Sequence, residues 1–321
     1  MPKFRYPLLA VTLQAAFLSF ASADETAPAT ITSPLGHPMS LKFSDEFNAV
    51  KDTDGQAYID RSKWITTFWQ GSSERTLTGN QEAQYYLDKD FGGRNNVPAA
   101  QRFNPFSFNK PGILTISARK VPKDLWPNYG MNEQRCFASG LLVSDKAFTF
   151  KYGYAEGRFK LPGNRGAWPA FWMLGNDPAL GEAGKAHEWP PEIDIFEYMG
   201  HWDKKHSSAV IARKGPAEKV NDWTLKYNPQ TVDISESFHT WGVEWNEKEV
   251  AFTFDGKVWL NGNTPPSLQR PMYLLINLAV GGKWYGEEIS NITKKPTKPW
   301  EVDEATMPWK MECDYVRVYQ P

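Results

Sequence analysis

The 321-residue chain is poor in cysteine, holding only Cys136 and Cys313. That excludes a small disulfide framework and a cysteine zinc site. If the chain is exported, the two thiols could pair, closing a loop of about 177 residues for at most roughly 5 kcal/mol, or they could stay buried and free. Charge of one sign is also lacking, with 36 Lys and Arg against 37 Asp and Glu. No broad cationic footprint therefore exists for nucleic acid or an anionic membrane surface. No apolar run reaches the roughly 18 to 20 residues of a membrane span. The five histidines, His37, His187, His201, His206 and His239, show no HExxH spacing. Walker loops, dinucleotide fingerprints and nucleophile elbows are missing as well, so no cofactor is expected for catalysis. Internal repeats are absent, and helical spacing is scarce.

What the chain does carry begins with a leader. Lys3 and Arg5 precede an apolar run of about 15 residues from Tyr6 to Phe20, and Ala21-Ser22-Ala23 follows, the layout of a secretory signal peptide. Residues 1–23 are thus expected to be removed near Ala23, giving a soluble, exported monomer, extracellular or periplasmic. Residues 24–40 are rich in Pro, Ala, Thr and Ser and suggest a leader strand or linker. From 41 to 321 a single all-β domain is expected. Short alternating or β-branched runs recur at 83–88, 113–119, 148–161, 207–213, 238–245, 250–254, 258–261, 272–280 and 314–319, which read as strands of a sandwich or barrel. Asp255-Gly256 between two of these runs predicts a tight hairpin. Aromatics make up 14% of the chain, 14 Trp, 13 Tyr and 19 Phe, and such rings suit either sugars or a core.

The segment Pro190-Pro191-Glu192-Ile193-Asp194-Ile195-Phe196-Glu197-Tyr198 sets three carboxyls among apolar side chains. In a strand Glu192 and Asp194 share one face while Ile193 and Ile195 face the core. Glu197, five positions from Glu192, falls on the wrong face unless a β-bulge near Ile195-Phe196 adds one residue. Three acids on one face repel, which raises the pKa of at least one. A protonated acid beside an ionised carboxylate is what glycosidic bond cleavage requires. An exposed acidic strand face is the plainer alternative.

The hexad from Glu192 to Glu197 is similar to the signature of glycoside hydrolase family 16 in its bulge-containing version. FSDEFN (43–48), TGNQEAQYY (78–86), YGYAEGRFKLPGNRGAWPAFWML (152–174), SFHTWGVEWN (237–246), PMYLLINLAVGGKW (271–284) and MECDYVRVYQ (311–320) resemble family blocks in family order. The resemblance implies a β-jelly-roll sandwich of two curved antiparallel sheets with a concave polysaccharide cleft. It makes Glu192 the nucleophile, Glu197 the acid/base and Asp194 the acid between them. It further implies sugar contacts at Trp168, Trp172, Asn80 and His206, and a structural calcium through Asp314 and the backbone near Glu46, oxygen donors that suit a hard cation. The implied activity is a retaining endo-β-glycanase acting on β-1,3 or mixed β-1,3/1,4 glucan. A second reading is an endoglycanase of bacterial exopolysaccharide such as succinoglycan, and a third, from another class, is a non-catalytic glucan-binding protein. Ser139-Gly140-Leu141-Leu142 departs from the family pattern, which often has a basic residue there.

Overall fold

The computed structural model describes residues 26–68, 75–176, 191–211 and 223–321. The leader at 1–23, His187 and Pro190 lie outside the described residues. Within them the chain forms an eleven-stranded sheet, a six-stranded sheet and a two-stranded ribbon. The six-stranded sheet runs Trp223–Pro229, Lys205–Ile211, Glu192–Glu197, Ala167–Gly175, Met272–Val280, Leu141–Val143, every neighbour antiparallel. The larger sheet centres on Gly153–Lys160 beside Trp309–Gln320. Its pairs are antiparallel except Gln84–Tyr86 with Phe137–Ser139, which is parallel. Residues Thr30–Thr32 and Pro38–Asp45 pair with each other, and the second joins Trp309–Gln320, so the end of the leader stretch is part of the large sheet. Among the described residues no helix is long and apolar enough to cross a membrane.

The sheets pack face to face through aromatic rings. Phe159 of the large sheet lies 5.3 Å from Phe171 and 5.4 Å from Phe196 of the small one, and Trp241 lies 4.6 Å from Phe196. The strand Met272–Val280 is buried along its whole length, which explains its almost unbroken apolar run. One of its faces meets this core. The other joins a separate apolar cluster with Phe68, Tyr86, Leu141, Trp172, Leu174 and Tyr273 on the far side of the sheet. A strand buried on both faces cannot alternate apolar with polar.

Two turns show why particular residues stand where they do. Asp255 and Gly256 adopt φ of 47° and 73° and join Glu249–Phe254 to Lys257–Asn263, the hairpin expected from the sequence. At Gly140 the chain passes from the strand Phe137–Ser139 in the large sheet to Leu141–Val143 in the small one. A Cβ there would lie 2.8 Å from Phe106 and 2.9 Å from Ile116, so only glycine fits the crossing. Leu141, at the departure from the family pattern, is buried within the second cluster. Cys136 and Cys313 are both free and buried, and burial holds their thiols above the usual range, Cys136 to about 11.

Candidate active site

The strand Glu192–Glu197 lies between Ala167–Gly175 and Lys205–Ile211. Against the first neighbour, Asp194 pairs with Trp172 and Phe196 with Phe171, so Ile195 is an extra residue at a register shift. Against the second, Asp194 pairs with Ala209 and Glu197 with Ser207, which absorbs the same extra residue. The bulge sends Ile195 and Phe196 into the central core and returns Glu197 to the face of Glu192 and Asp194. The register then lines up three rows across the sheet. Glu192 continues into Leu174 and Tyr273, Asp194 into Trp172 and Leu275, and Glu197 into Ala170 and Asn277.

Electrostatics separates the three acids. Glu192 and Asp194 are 8% and 4% exposed, and Glu197 is half-buried. Burial drives the Asp194 carboxyl well above the usual carboxylate range, followed by the charges of Glu192 and Glu197 and a side-chain hydrogen bond with Glu192. In its protonated form Asp194 can donate to Glu192. Burial and the Glu192 charge lift Glu197 to about 8, against the opposing pull of the Trp168 indole N–H, which donates to Glu197 Oε1 at 3.1 Å. The strand thus pushes Asp194 and Glu197 toward their protonated forms beside Glu192, the kind of separation that acid catalysis with a carboxylate partner needs.

The expected sugar contacts divide. Trp168 and Trp172 sit on the same face as the acids, paired with Ala279 and Leu275. The Trp172 indole donates to Asn277 Oδ1 at 2.7 Å. Asn80 ends a short turn beside Trp168: a Cβ on Gly282 would lie 2.9 Å from the Trp168 ring and 3.3 Å from the Asn80 carbonyl oxygen. His206 does not belong with them. It points from the opposite face of its strand into the core, fully buried among Trp241, Phe254 and Trp259. Its neighbour Ser207 takes the place opposite Glu197. Burial pushes the His206 imidazole down to about 3, so it stays neutral, with Nε2 3.0 Å from Asn228 Nδ2.

The side chains of the two residues named for a calcium site are engaged in ion pairs. Asp314 is held by the Arg158 guanidinium. Glu46 takes a two-pronged contact from Arg317, Nε to Oε1 at 3.1 Å and Nη2 to Oε2 at 2.7 Å. A calcium ion would have to displace the Arg158 guanidinium from Asp314, while the backbone carbonyls near Glu46 are a separate set of oxygen donors. Among the described residues no group of three or more His, Cys, Asp or Glu is placed to hold a metal.

Several neighbours of the site were not singled out from the sequence. Trp284, at the start of the helix Lys283–Thr293, stands 5.5 Å edge-on to Trp168, and Trp202 follows at 5.3 Å from Trp284. Tyr227 extends this aromatic row 5.4 Å beyond Trp202. The same helix supplies Glu288, which accepts from the Trp202 indole at 2.7 Å and lies 2.8 Å from His201 Nε2. Asn277 had a visible signal, being the one polar side chain in MYLLINLAV.

Comparison with known proteins places this geometry in context. The family described as glycosyl hydrolases family 16 matches residues 102–302. The endo-1,3-1,4-beta-glycanase ExsH of Rhizobium meliloti is 34% identical over 245 residues, covering 76% of this chain and 47% of that protein. The chain thus spans about half the length of the curated relatives it matches first. Among solved structures, the endo-beta-1,3-glucanase from Pyrococcus furiosus is 28% identical with a TM-score of 0.65, covering 92% of this chain and 98% of that one. The E144S mutant of SCLam, a non-specific endo-beta-1,3(4)-glucanase co-crystallised with a glucan oligosaccharide, is 27% identical with a TM-score of 0.66, covering 92% and 100%.

Proposed function

The chain belongs to glycosyl hydrolases family 16, and from that premise we propose that it is a retaining endo-β-glycanase cleaving internal β-1,3 or mixed β-1,3/1,4 glucosidic bonds. We further propose export by the leader at 1–23. The fold is a β-jelly-roll sandwich, and the acid-bearing face of its smaller sheet is the substrate cleft. One observation carries the reading: a bulged strand sets Glu192, Asp194 and Glu197 on one face with Glu197 protonated to about pH 8. The relatives' printed activities on β-1,3 and β-1,3/1,4 glycans support the substrate class.

In the first step a Glu192 oxygen bonds to the anomeric carbon as the bond from that carbon to the leaving oxygen breaks. The proton on Glu197 passes to the departing oxygen. Forming the glycosyl ester removes the Glu192 charge, and with it one of the two influences that raise the Glu197 pKa. Glu197, now a carboxylate beside a neutral ester, is suited to take a proton from water. The water oxygen then displaces Glu192 from the anomeric carbon. Asp194 donates its hydrogen bond to Glu192 when that carboxylate is charged, which disperses charge on the leaving group of the second step.

A non-catalytic glucan binder would have no use for a strand that concentrates three acids out of water, because burying them costs stability. The test is a reducing-sugar screen against laminarin, lichenan, agarose, carrageenan and succinoglycan, with proton NMR of the first-formed reducing end. Cleavage of laminarin or lichenan with a β-anomer formed first is expected. Cleavage of succinoglycan alone would move the substrate to bacterial exopolysaccharide. An α-anomer would overturn retention, and no cleavage of any glycan would overturn the enzyme reading.

A further inference from the structure

A fourth carboxyl, unused in the scheme above, lies just past the end of the strand Met272–Val280, where Glu82 bridges to Gly281. Glu82 follows the short turn Thr78–Asn80 and is 3% exposed. It accepts from Gln84 Nε2 at 2.6 Å, Asn80 Nδ2 at 3.3 Å, the Tyr86 hydroxyl at 3.4 Å and the Leu77 backbone N–H at 3.4 Å. None of these four donors carries a charge.

The direction of every bond in this network follows from two groups that can only donate. The Trp172 indole N–H requires an acceptor, so the Asn277 amide turns Oδ1 toward it at 2.7 Å. Asn277 Nδ2 must then donate to the Tyr86 hydroxyl, 3.0 Å away. Having accepted, that hydroxyl turns its own proton toward Glu82. On the other side the Val280 backbone N–H donates to Gln84 Oε1 at 2.7 Å, which aims Gln84 Nε2 at Glu82. Both chains of donors end on one carboxyl. A carboxylate accepts them all, whereas a neutral acid would set its own proton against donors. Burial raises the Glu82 pKa, and its four hydrogen-bond donors oppose the rise.

We infer that Glu82 is a positioning residue for the sugar-binding floor. As a carboxylate it orients the Trp172 indole through Tyr86 and Asn277, and it holds the Asn80 amide directly. Because Asn80 spends Nδ2 on Glu82, its Oδ1 is left to accept from a sugar hydroxyl. Trp172 and Asn277 lie in the rows of Asp194 and Glu197 but donate nothing to the reacting atoms. The inference rests on the β-glucanase reading given above, and its effect falls on binding.

Tyr86→Phe removes the one hydroxyl that links Glu82 to Asn277 and leaves the ring in place. With the full chain and soluble β-1,3 and mixed-linkage gluco-oligosaccharides, the variant is expected to raise KM about tenfold, the scale of one lost hydrogen bond, and to leave kcat within about twofold. The indole N–H resonance of Trp172, assigned with Trp172→Phe, is expected to shift. Glu82→Gln, which sets an amide donor against donors, is expected to raise KM at least as much and serves if Tyr86→Phe fails to fold. Wild-type KM in either folded variant overturns the inference, whether or not the resonance moves. So does a fall in kcat equal to the rise in KM with a lowered melting temperature, the mark of general loosening. If the wild-type chain cleaves none of these glucans, the β-glucanase reading fails and takes this inference with it.

Discussion

At the scale of single residues the site depends on unequal protonation of like groups. Glu192→Gln is expected to abolish hydrolysis while glucan binding survives, as checked by product release and by affinity electrophoresis on the same preparation. Glu197→Gln should cost roughly 10² to 10⁴ in kcat on glucan, the usual worth of acid assistance, and less on an oligosaccharide with an activated aryl leaving group that needs no proton. Because Glu197 is held to about 8 in the free protein, kcat/KM should fall above that pH as the acid loses its proton. A pH profile whose alkaline limb lies below 6 would remove Glu197 from the acid role. These three acids were legible in the sequence, since carboxyls spaced through an apolar run have no folding use. His206 was not. Its neighbours Trp241, Phe254 and Trp259 are more than thirty residues away in the chain, and only the strand pairing decides that Ser207, one residue on, faces the acids.

At the scale of the element, the bulge at Ile195 is the feature that makes a site from a strand. Without it, alternation would leave Glu197 on the core side, against Phe159 and Trp241, where Phe196 now lies. Deleting Ile195 is expected to cut activity by at least 10³-fold and to lower the melting temperature by more than 10 °C, since a carboxyl or a misplaced ring must then enter the core. Activity assays and thermal unfolding on the same variant check this. Near wild-type activity would mean the acids need no register shift. The bulge position followed from counting alone, because a period of two fixes which residue is out of phase. The aromatic row from Trp168 to Trp284, Trp202 and Tyr227 could not be counted in this way. It is assembled from a strand, a helix start, a loop and a second strand.

At the scale of the whole molecule, burial of the acids sets how stability depends on pH. A group whose folded pKa lies above its ordinary value stabilises the fold at low pH, and that contribution is lost as pH rises through the folded value. For Glu197 the loss runs from about 4.5 to about 8. Glu197→Gln should therefore melt close to wild type at pH 5 and several degrees above it at pH 9, as measured by calorimetry at both values. A constant difference across that range would contradict a buried, proton-binding Glu197. With both cysteines free, dithiothreitol should shift the melting temperature by less than about 1 °C. A larger shift would point to a disulfide.

The sequence by itself determined the class of fold, the strand that bears the acids, the face they share and the tight turn at Asp255-Gly256. Each follows from a local rule, alternation of side chains or the φ a turn demands, that acts over a few residues. Tertiary structure alone decided which carboxyls are pushed toward the protonated form, since burial and neighbouring charge set a pKa and neither exists in an extended chain. It also decided that Asp314 and Glu46 meet guanidinium groups, that His206 is sealed in the core, and that Glu82 gathers the donors of Gln84, Asn80, Tyr86 and Leu77. Those outcomes depend on residues brought together from distant parts of the chain, which no spacing along it records.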